Sequence, residues 1–419
     1  MTATTGSSSL RVPGDKSIAH RVLMLAALAN GTSRLRGLPA GLDVRSTRRA
    51  LEALGIVMRD EGDAVVVDGR GGAFDAPAGP VDCGNSGTTM RLLAGILATR
   101  PLSVTLDGDA SLRARPMRRV TEPLAAFGAQ CQLAPGGTAP LLVSGNPAAP
   151  GIAAEVTIAS AQIKSALLFA ALGAHGRTTL RGALATRDHT ERLFGTFGVR
   201  CGREAGALVV DGPAVPRARD VDVPGDFSSA AFLLAAAAAV PGGYVALDDV
   251  GLNPTRTAFL GVLRRFGAEI ELTLDVTNEE PRGRVAVRGA ALRAVEIEPY
   301  EVPVLIDELP LVGVLGLFAR GTTVVRGAAE LRVKESDRIE TFAAAVRALG
   351  GEVETAPDGF AVRGPARLHS GAIVTAGDHR IAMAFSVAAR IAGVALSLDD
   401  PDCVAVSFPG FARALDGVA

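Results

Sequence analysis

A chain of 419 residues, 48% hydrophobic and 21% charged, is long enough for two or more domains with large apolar cores. With a formal net charge of −1, no Trp and no arginine–aromatic stripe, no global field argues for nucleic acid, and no nucleic-acid partner is expected. Cys83, Cys131, Cys201 and Cys403 have no metal-ligand spacing and fit a reducing compartment, and the longest apolar run, Ala230 to Val240, is too short to cross a bilayer.

The N-terminal MTATTGSSS is polar and lacks the apolar stretch of a secretory signal, so a cytoplasmic protein with no membrane partner is expected. From there the chain repeats itself in six units, roughly 65–80 residues apart. Each opens with a polar cluster followed by an Ala/Leu-rich helix. The copies are PGDKSIAHRVLMLAALA from Pro13, CGNSGTTMRLLAGILA from Cys83, ASAQIKSALLFAALGA from Ala159, PGDFSSAAFLLAAAAA from Pro224, VLIDELPLVGVLGLFA from Val304 and AGDHRIAMAFSVAARIA from Ala376. A strand behind a tight turn comes next: GTSRLRG (Gly31–Gly37), GRTTLRG (Gly176–Gly182) and GTTVVRG (Gly321–Gly327) are near copies, with looser versions from Arg100, Gly242 and Gly393. A second helix then ends at Gly55, Gly128, Gly198, Gly267 or Gly350 and leads into another strand.

Each unit thus reads strand–helix–strand–helix–strand, an α/β class of fold. The sixth stops after its second strand and a short C-terminal helix. The N-terminal SLRV is expected to supply its missing strand, which would put both chain ends in one domain.

Five of the six helix starts carry charged or amide side chains: Lys16 and Arg21, Asn85 and Arg91, Gln162 and Lys164, Asp307 and Glu308, and Asp378 with His379 and Arg380. A helix N-terminus offers unpaired N–H groups and a positive dipole end, a seat for phosphate or carboxylate. Capping accounts for Ser, Asp and Asn there, but not for Lys and Arg, which the dipole disfavours. Cations at those positions point to an anion as their partner. The cluster Lys334–Arg338, KESDR, sets Lys334 and Arg338 four apart, so that on a helix both point to one side; it reads as a solvated helix end or as a site. Asp307 in an apolar run with Pro303 and Pro310 nearby reads as a cap or as a functional carboxylate. The five histidines make no triad-like pairing, and no P-loop or dinucleotide fingerprint occurs.

PGDKSIAHR, CGNSGTTMR, LRARPM, SAQIKSALL, TRDHTER, GDFSSAAF, RVKESDR and GDHRIAMAF together, from Pro13 to Phe408, resemble the 5-enolpyruvylshikimate-3-phosphate synthase family. SAQIKSA, RDHTE and the GDFSS stretch are closer to its second bacterial class. The resemblance implies two similar domains of three βαβαββ units each, an inside-out α/β barrel. The domains would be residues 1–13 plus 225–419, and residues 14–224, with the active site in the cleft between them. It also implies transfer of the enolpyruvyl group of phosphoenolpyruvate to the 5-hydroxyl of shikimate 3-phosphate through a tetrahedral ketal, with no metal and no other cofactor. A monomer is expected.

Matched motif by motif, the resemblance assigns Lys16, Ser17, Arg21, Ser160, Ala161, Gln162, Arg187, Asp307 and Lys334 to shikimate 3-phosphate. Lys16, Asn85, Gly87, Arg115, Gln162, Arg338 and Arg380 would hold phosphoenolpyruvate. Asp307 would accept the hydroxyl proton, Glu335 with Lys334 would handle the proton at the methylene carbon, and Lys16 would lie between the ligands. Asp378 and His379 would be supporting residues. Val406 stands where other members carry a phosphoenolpyruvate-binding lysine, leaving one cation unassigned. Gly87 leaves room for the inhibitor glyphosate, where alanine confers tolerance; Leu92, in place of a proline linked to sensitivity, points the other way.

The nearest rival, the UDP-N-acetylglucosamine enolpyruvyl transferases, begins with Lys-Asn and uses a loop cysteine. Here Lys16 is followed by Ser17, and LRARPM has no cysteine. A non-catalytic binder of phosphorylated metabolites would not need two acids beside Lys334.

Overall fold

The computed structural model describes residues 10–275 and 280–418. The chain divides into two compact units, Met1–Gly14 with Pro224–Ala419, and Asp15–Val223. The Ala/Leu-rich segments fold as Lys16–Leu28, Gly87–Leu97 and Ala161–Ala171 in the second of these, and Phe227–Ala238, Leu309–Phe318 and His379–Ala392 in the first. Beyond its first turn each of the first five is buried almost all round, and the sixth is buried to Ala389 apart from Ser386. Such helices cannot sit on a surface; they form the core of each unit. No helix among the described residues is long and apolar enough to cross a membrane.

The sheets lie outside these helices. Four of them share one order: a short first strand pairs parallel with a central strand, which pairs antiparallel with a third, which holds an edge strand. In one example Val81–Asp82 is followed by Ser103–Asp107, Thr138–Ser144 and Gln130–Ala134. The edge strands Val57–Glu61, Glu269–Asp275 and Glu352–Ala356 are almost wholly exposed. Buried residues recur along the central strands, whose inner faces cover the helices. The glycines read as helix ends are in the left-handed region, among them Gly55 (φ 85°), Gly267 (φ 114°) and Gly350 (φ 85°).

The N-terminal strand corrects an expectation. Leu10 bridges Leu247 in parallel, through Leu10 N–H to the Ala246 carbonyl (3.2 Å) and Asp248 N–H to the Leu10 carbonyl (3.1 Å). It therefore completes the sheet of the fourth repeat, Tyr244–Gly251 with Arg282–Arg288 and Glu269–Asp275, and not that of the sixth. Among the described residues the sixth has Gly371–Ile373 paired with Leu396–Leu398. The first repeat takes its first strand from Val221–Asp222, paired with Leu35–Arg36. The chain passes from one unit to the other between a first strand and its helix, so the first and fourth repeats exchange that strand.

Small residues let two inner helices approach closely. A Cβ on Gly95 would lie 2.2 Å from the Ala166 carbonyl oxygen of the Ala161–Ala171 helix, whereas Gly261, in the Ala258–Phe266 helix, has nothing within 4 Å. Gly95→Ala is expected to lower the unfolding free energy by about 1–3 kcal/mol through overpacking. Gly261→Ala should raise it by about 0.4–1 kcal/mol by restricting the unfolded chain. Urea titration of both variants checks the contrast; equal effects would contradict the close approach.

Candidate active site

In the Asp15–Val223 unit the first turns of the three inner helices stand side by side. His20 Nδ1 meets Thr47 Oγ1 at 2.6 Å, Thr47 meets Thr89 at 2.6 Å, and Thr89 donates to the cap Ser86 at 2.8 Å. This buried polar chain ties the Lys16–Leu28 helix to Gly87–Leu97. Burial, with Lys16 and Arg21 adding to it, pushes the His20 imidazole well below its usual range, so it is a neutral link.

The polar side chains are arranged around that chain. Asp15 caps the first helix, and Lys16 Nζ pairs with Asp43 at 3.0 Å. Arg21 donates to Thr190 Oγ1 (2.7 Å), Ser165 Oγ (2.8 Å) and the Ser17 carbonyl (2.8 Å), which fixes its fork beside Ser17. Gln162 accepts from Arg91 Nη1 at 2.7 Å and donates to Thr88 at 2.9 Å. Arg115 donates to Asn85 Oδ1 (2.5 Å) and Ser111 (3.2 Å), while Asn85 donates to Asp109 (2.8 Å). Ser160 occupies the cap position of the Ala161–Ala171 helix with no side-chain cap bond, and Gly87 begins the second helix. Arg187 is half-buried two residues ahead of the His189–Thr196 helix.

One cation departs from the expectation that a ligand completes it. Lys164 is fully buried, pairs with Glu191 at 2.7 Å and reaches the Leu184 and Thr186 carbonyls at 3.3 and 3.2 Å. Burial pushes its ammonium down, against the pull of Glu191. It is a closed internal pair.

The other unit gathers acids as well as cations. Asp307 lies in the turn between Val302–Leu305 and Leu309–Phe318; the cap position is Glu308, which makes no side-chain cap bond, so Asp307 is not a cap. Its carboxylate is 3.6 Å from Arg338 Nη1, 3.6 Å from Arg380 Nε and 3.8 Å from Arg256 Nη1, with its side chain 14% exposed. Asp378 caps the His379–Ala392 helix through Arg380 N–H (2.9 Å) and accepts from Arg338 Nε (2.8 Å) and Ser336 (3.1 Å). Arg338 also donates to Glu335 at 2.6 Å. His379 is buried at the helix start beside Asp378.

Lys334 and Arg338 do not share a helix. The helix begins at Arg338 because Asp337 caps it, accepting from Ile339 and Glu340 N–H at 3.2 Å each. Lys334 ends a short 3-10 turn, Ala329–Val333, in an extended conformation. Burial pushes its ammonium below the usual lysine range, while Asp307 pulls the other way.

Sequence reasoning missed Arg256. The Phe227–Ala238 helix start carries no cation of its own; the structure supplies one from 28 residues further on, with Arg256 Nη2 2.5 Å from Ser228 Oγ. The only local signal is the NPT turn ahead of it, where Thr255 N–H and Oγ1 both bond Asn253 Oδ1, at 2.8 and 2.7 Å.

Buried helices with polar, cationic first turns, sheathed by βαβαββ sheets, define the class of enolpyruvyl transferases. That fold is shared with the enolpyruvyl transferase NikO from Streptomyces tendae, at TM-score 0.78 and 18% identity over 99% of this chain and 95% of that one. The EPSP synthase (3-phosphoshikimate 1-carboxyvinyltransferase) family model matches residues 3–415, and the chain belongs to that family. A 3-phosphoshikimate 1-carboxyvinyltransferase from Anaeromyxobacter sp. (strain Fw109-5) is 49% identical, covering 98% of this chain and 95% of its relative. One from Xanthomonas campestris pv. campestris (strain B100) is 47% identical over 97% and 94%. The solved EPSP synthase from Acinetobacter baumannii has a TM-score of 0.84 at 36% identity, over 98% and 95%. The chain is therefore an enolpyruvyl-transferring enzyme of the shikimate pathway to aromatic amino acids, acting on phosphoenolpyruvate and shikimate 3-phosphate.

Asp378 gives a stability test. Burial works against its carboxylate, but Arg338 outweighs this and holds the pKa below the usual range. The folded carboxyl binds its proton less readily than the unfolded one, so its stabilisation is present above about pH 4 and is lost as pH falls through the lower folded value. Asp378→Asn is expected to cost about 1–3 kcal/mol at pH 7, since the buried Arg338 would keep Glu335 but lose the charge-assisted bonds to Asp378. Urea unfolding should show that deficit narrowing on acidification; a deficit constant down to about pH 2 contradicts the pairing.

Proposed function

We propose that the two clusters divide the work of the transfer. In the Asp15–Val223 unit, Lys16, Ser17, Arg21, Ser160, Ala161, Gln162 and Arg187 bind shikimate 3-phosphate, while Asn85, Gly87 and Arg115 bind phosphoenolpyruvate together with Lys16 and Gln162. In the other unit, Arg338 and Arg380 hold phosphoenolpyruvate, Lys334 faces both substrates, and Asp378 and His379 support the two arginines. Two polyanionic substrates require several fixed cations, and arginine forks suit carboxylate and phosphate.

The chemistry needs one base and one acid. As the 5-hydroxyl oxygen bonds to C2 of phosphoenolpyruvate, its proton passes to Asp307, and the methylene carbon takes a proton from Glu335 with Lys334 alongside. The resulting tetrahedral ketal then loses phosphate while the methyl group returns a proton to Glu335, leaving the enol ether. Cations around the departing phosphate stabilise its charge. The observation that carries this reading is the environment of Asp307: three guanidiniums within 3.6–3.8 Å favour its ionised, proton-accepting form, and its side chain remains partly open.

Asp307→Asn is expected to lower kcat by about 10²–10⁴-fold with little change in the Kd for shikimate 3-phosphate. Glu335→Gln should slow breakdown or formation of the ketal, visible as altered build-up in rapid-quench samples. Phosphate release from phosphoenolpyruvate should require shikimate 3-phosphate and fail with UDP-N-acetylglucosamine. An Asp307→Asn variant retaining more than about a tenth of the activity removes the base assignment.

Gly87 supplies a second test. A Cβ there would lie 2.7 Å from Arg91 Nη1 and 3.4 Å from Arg115 Nη1, and Arg91 is held by Gln162 and the Pro116 carbonyl. Gly87→Ala is expected to raise KM for phosphoenolpyruvate by about tenfold, equivalent to about 1.4 kcal/mol, and to weaken inhibition by glyphosate. Unchanged values for both would show that the arginine forks do not depend on this glycine.

A further inference from the structure

Arg256 touches none of the groups assigned above to substrate except Asp307, yet it is among the most buried charges of its unit, with its side chain 3% exposed. It is held in place from behind. Asn253 is buried, donates to Glu280 at 3.0 Å and gathers the Thr255 N–H and hydroxyl on its own oxygen, while Arg256 N–H bonds the Asn253 carbonyl at 2.8 Å. From this locked turn the guanidinium extends over the start of the Phe227–Ala238 helix. Nη2 reaches Ser228 Oγ at 2.5 Å and lies 3.7 Å from the cap Asp226, and Nη1 stands 3.8 Å from Asp307 and 4.0 Å from Glu308. Ser228 in turn donates to Glu308, whose side chain is fully buried.

The arrangement solves an electrostatic problem set by the sequence. Asp307 and Glu308 are consecutive carboxylates, one partly open and one without solvent, and each disfavours the ionised form of the other. The charged groups facing Asp307 are Arg256, Arg338, Arg380 and Lys334, with Glu308 beside it. Arg338 is already committed by short hydrogen bonds to Asp378 and Glu335. Arg380 lies 3.6 Å from Asp307 and 3.9 Å from Glu308 from one side. Arg256 approaches the same two carboxylates from a separate segment of the chain.

We propose that Arg256 is a positioning residue for the transfer reaction: it offsets the buried Glu308 carboxylate, so that its neighbour Asp307 stays ionised and aimed to receive the hydroxyl proton. The inference rests on the assignment of Asp307 as the base. It assigns no substrate contact to Arg256. Its effect is on turnover and its pH dependence, and not on substrate binding.

The test is a set of pH–rate profiles for purified full-length variants, with folding checked by thermal melting. Arg256→Gln should lower kcat at pH 7 about tenfold or more and move the acidic limb of log kcat up by about one pH unit, as loss of a cation beside a carboxylate does. Both KM values should stay within about threefold, and Arg256→Lys should recover most of the rate. Arg256→Gln combined with Glu308→Gln, which removes the uncompensated charge, should return the limb toward the wild-type position and exceed Arg256→Gln in rate. If Arg256→Gln does not fold, Arg256→Lys and the double variant carry the same comparison against Glu308→Gln alone. An unmoved acidic limb, a raised KM at unchanged kcat, or a double variant no better than the single one overturns the proposal. Asp307→Asn run in parallel separates the two failures. If it is inactive while Arg256→Gln has a wild-type profile, only the role of Arg256 fails; if it is active, the base assignment itself falls.

Discussion

Three buried helices that begin at one place bring three positive dipole ends together, and each unit of this protein is organised by that constraint. Each end carries a partial charge of about half a unit and several unpaired N–H groups. In the unit containing Phe227–Ala238 the caps are Asp226 and Asp378, with Asp307 and Glu308 at the third helix start. In the other unit the caps are Asp15 and Ser86, with Ser160 at the third, so one carboxylate serves where the first unit has several. Lys16, Arg21, Arg91 and Arg115 then surround ends that are positive already. That side favours anions; the other can hold acids and bases.

Charges kept this far from water are tolerable only when paired, and the pairing here is selective. Lys164 with Glu191 closes on itself and leaves nothing to offer a substrate. Arg338 is anchored by Asp378 and Glu335 yet still lies 3.6 Å from Asp307. His20, neutral and bonded to Thr47, carries the connection between two helices without adding to the charge. What distinguishes the groups assigned to chemistry is partial exposure: Asp307, Lys334 and Glu335 are each half-buried, while Arg256, Arg338, Arg380 and Asp378 are buried.

The inside-out layering follows from the same economy of apolar surface. Helices such as Leu309–Phe318 have no polar face to show to water, so the sheets must cover them, and the outermost strands become the polar surface. Small residues let the helices approach, as Gly95 does against Ala166, and that closeness is what sets the first turns within hydrogen-bonding reach of one another.

Much of this was written locally in the chain. The six-fold repeat, the glycine helix ends and the polar helix starts are short-range patterns, and short-range patterns survive in sequence because each governs its own backbone. The family motifs likewise lie in continuous stretches. What tertiary structure alone decided is every relation between distant segments. Leu10 joins the fourth repeat and not the sixth, because the crossing falls between a strand and its helix. Lys334 lies outside the helix of Arg338, because the cap at Asp337 competes successfully for the first turn. Lys164 finds Glu191, and Arg256 reaches Ser228 and Asp307, across spans that no periodicity records. Electrostatic pairing depends on distance in space, and the sequence specifies that distance only once the helices have packed.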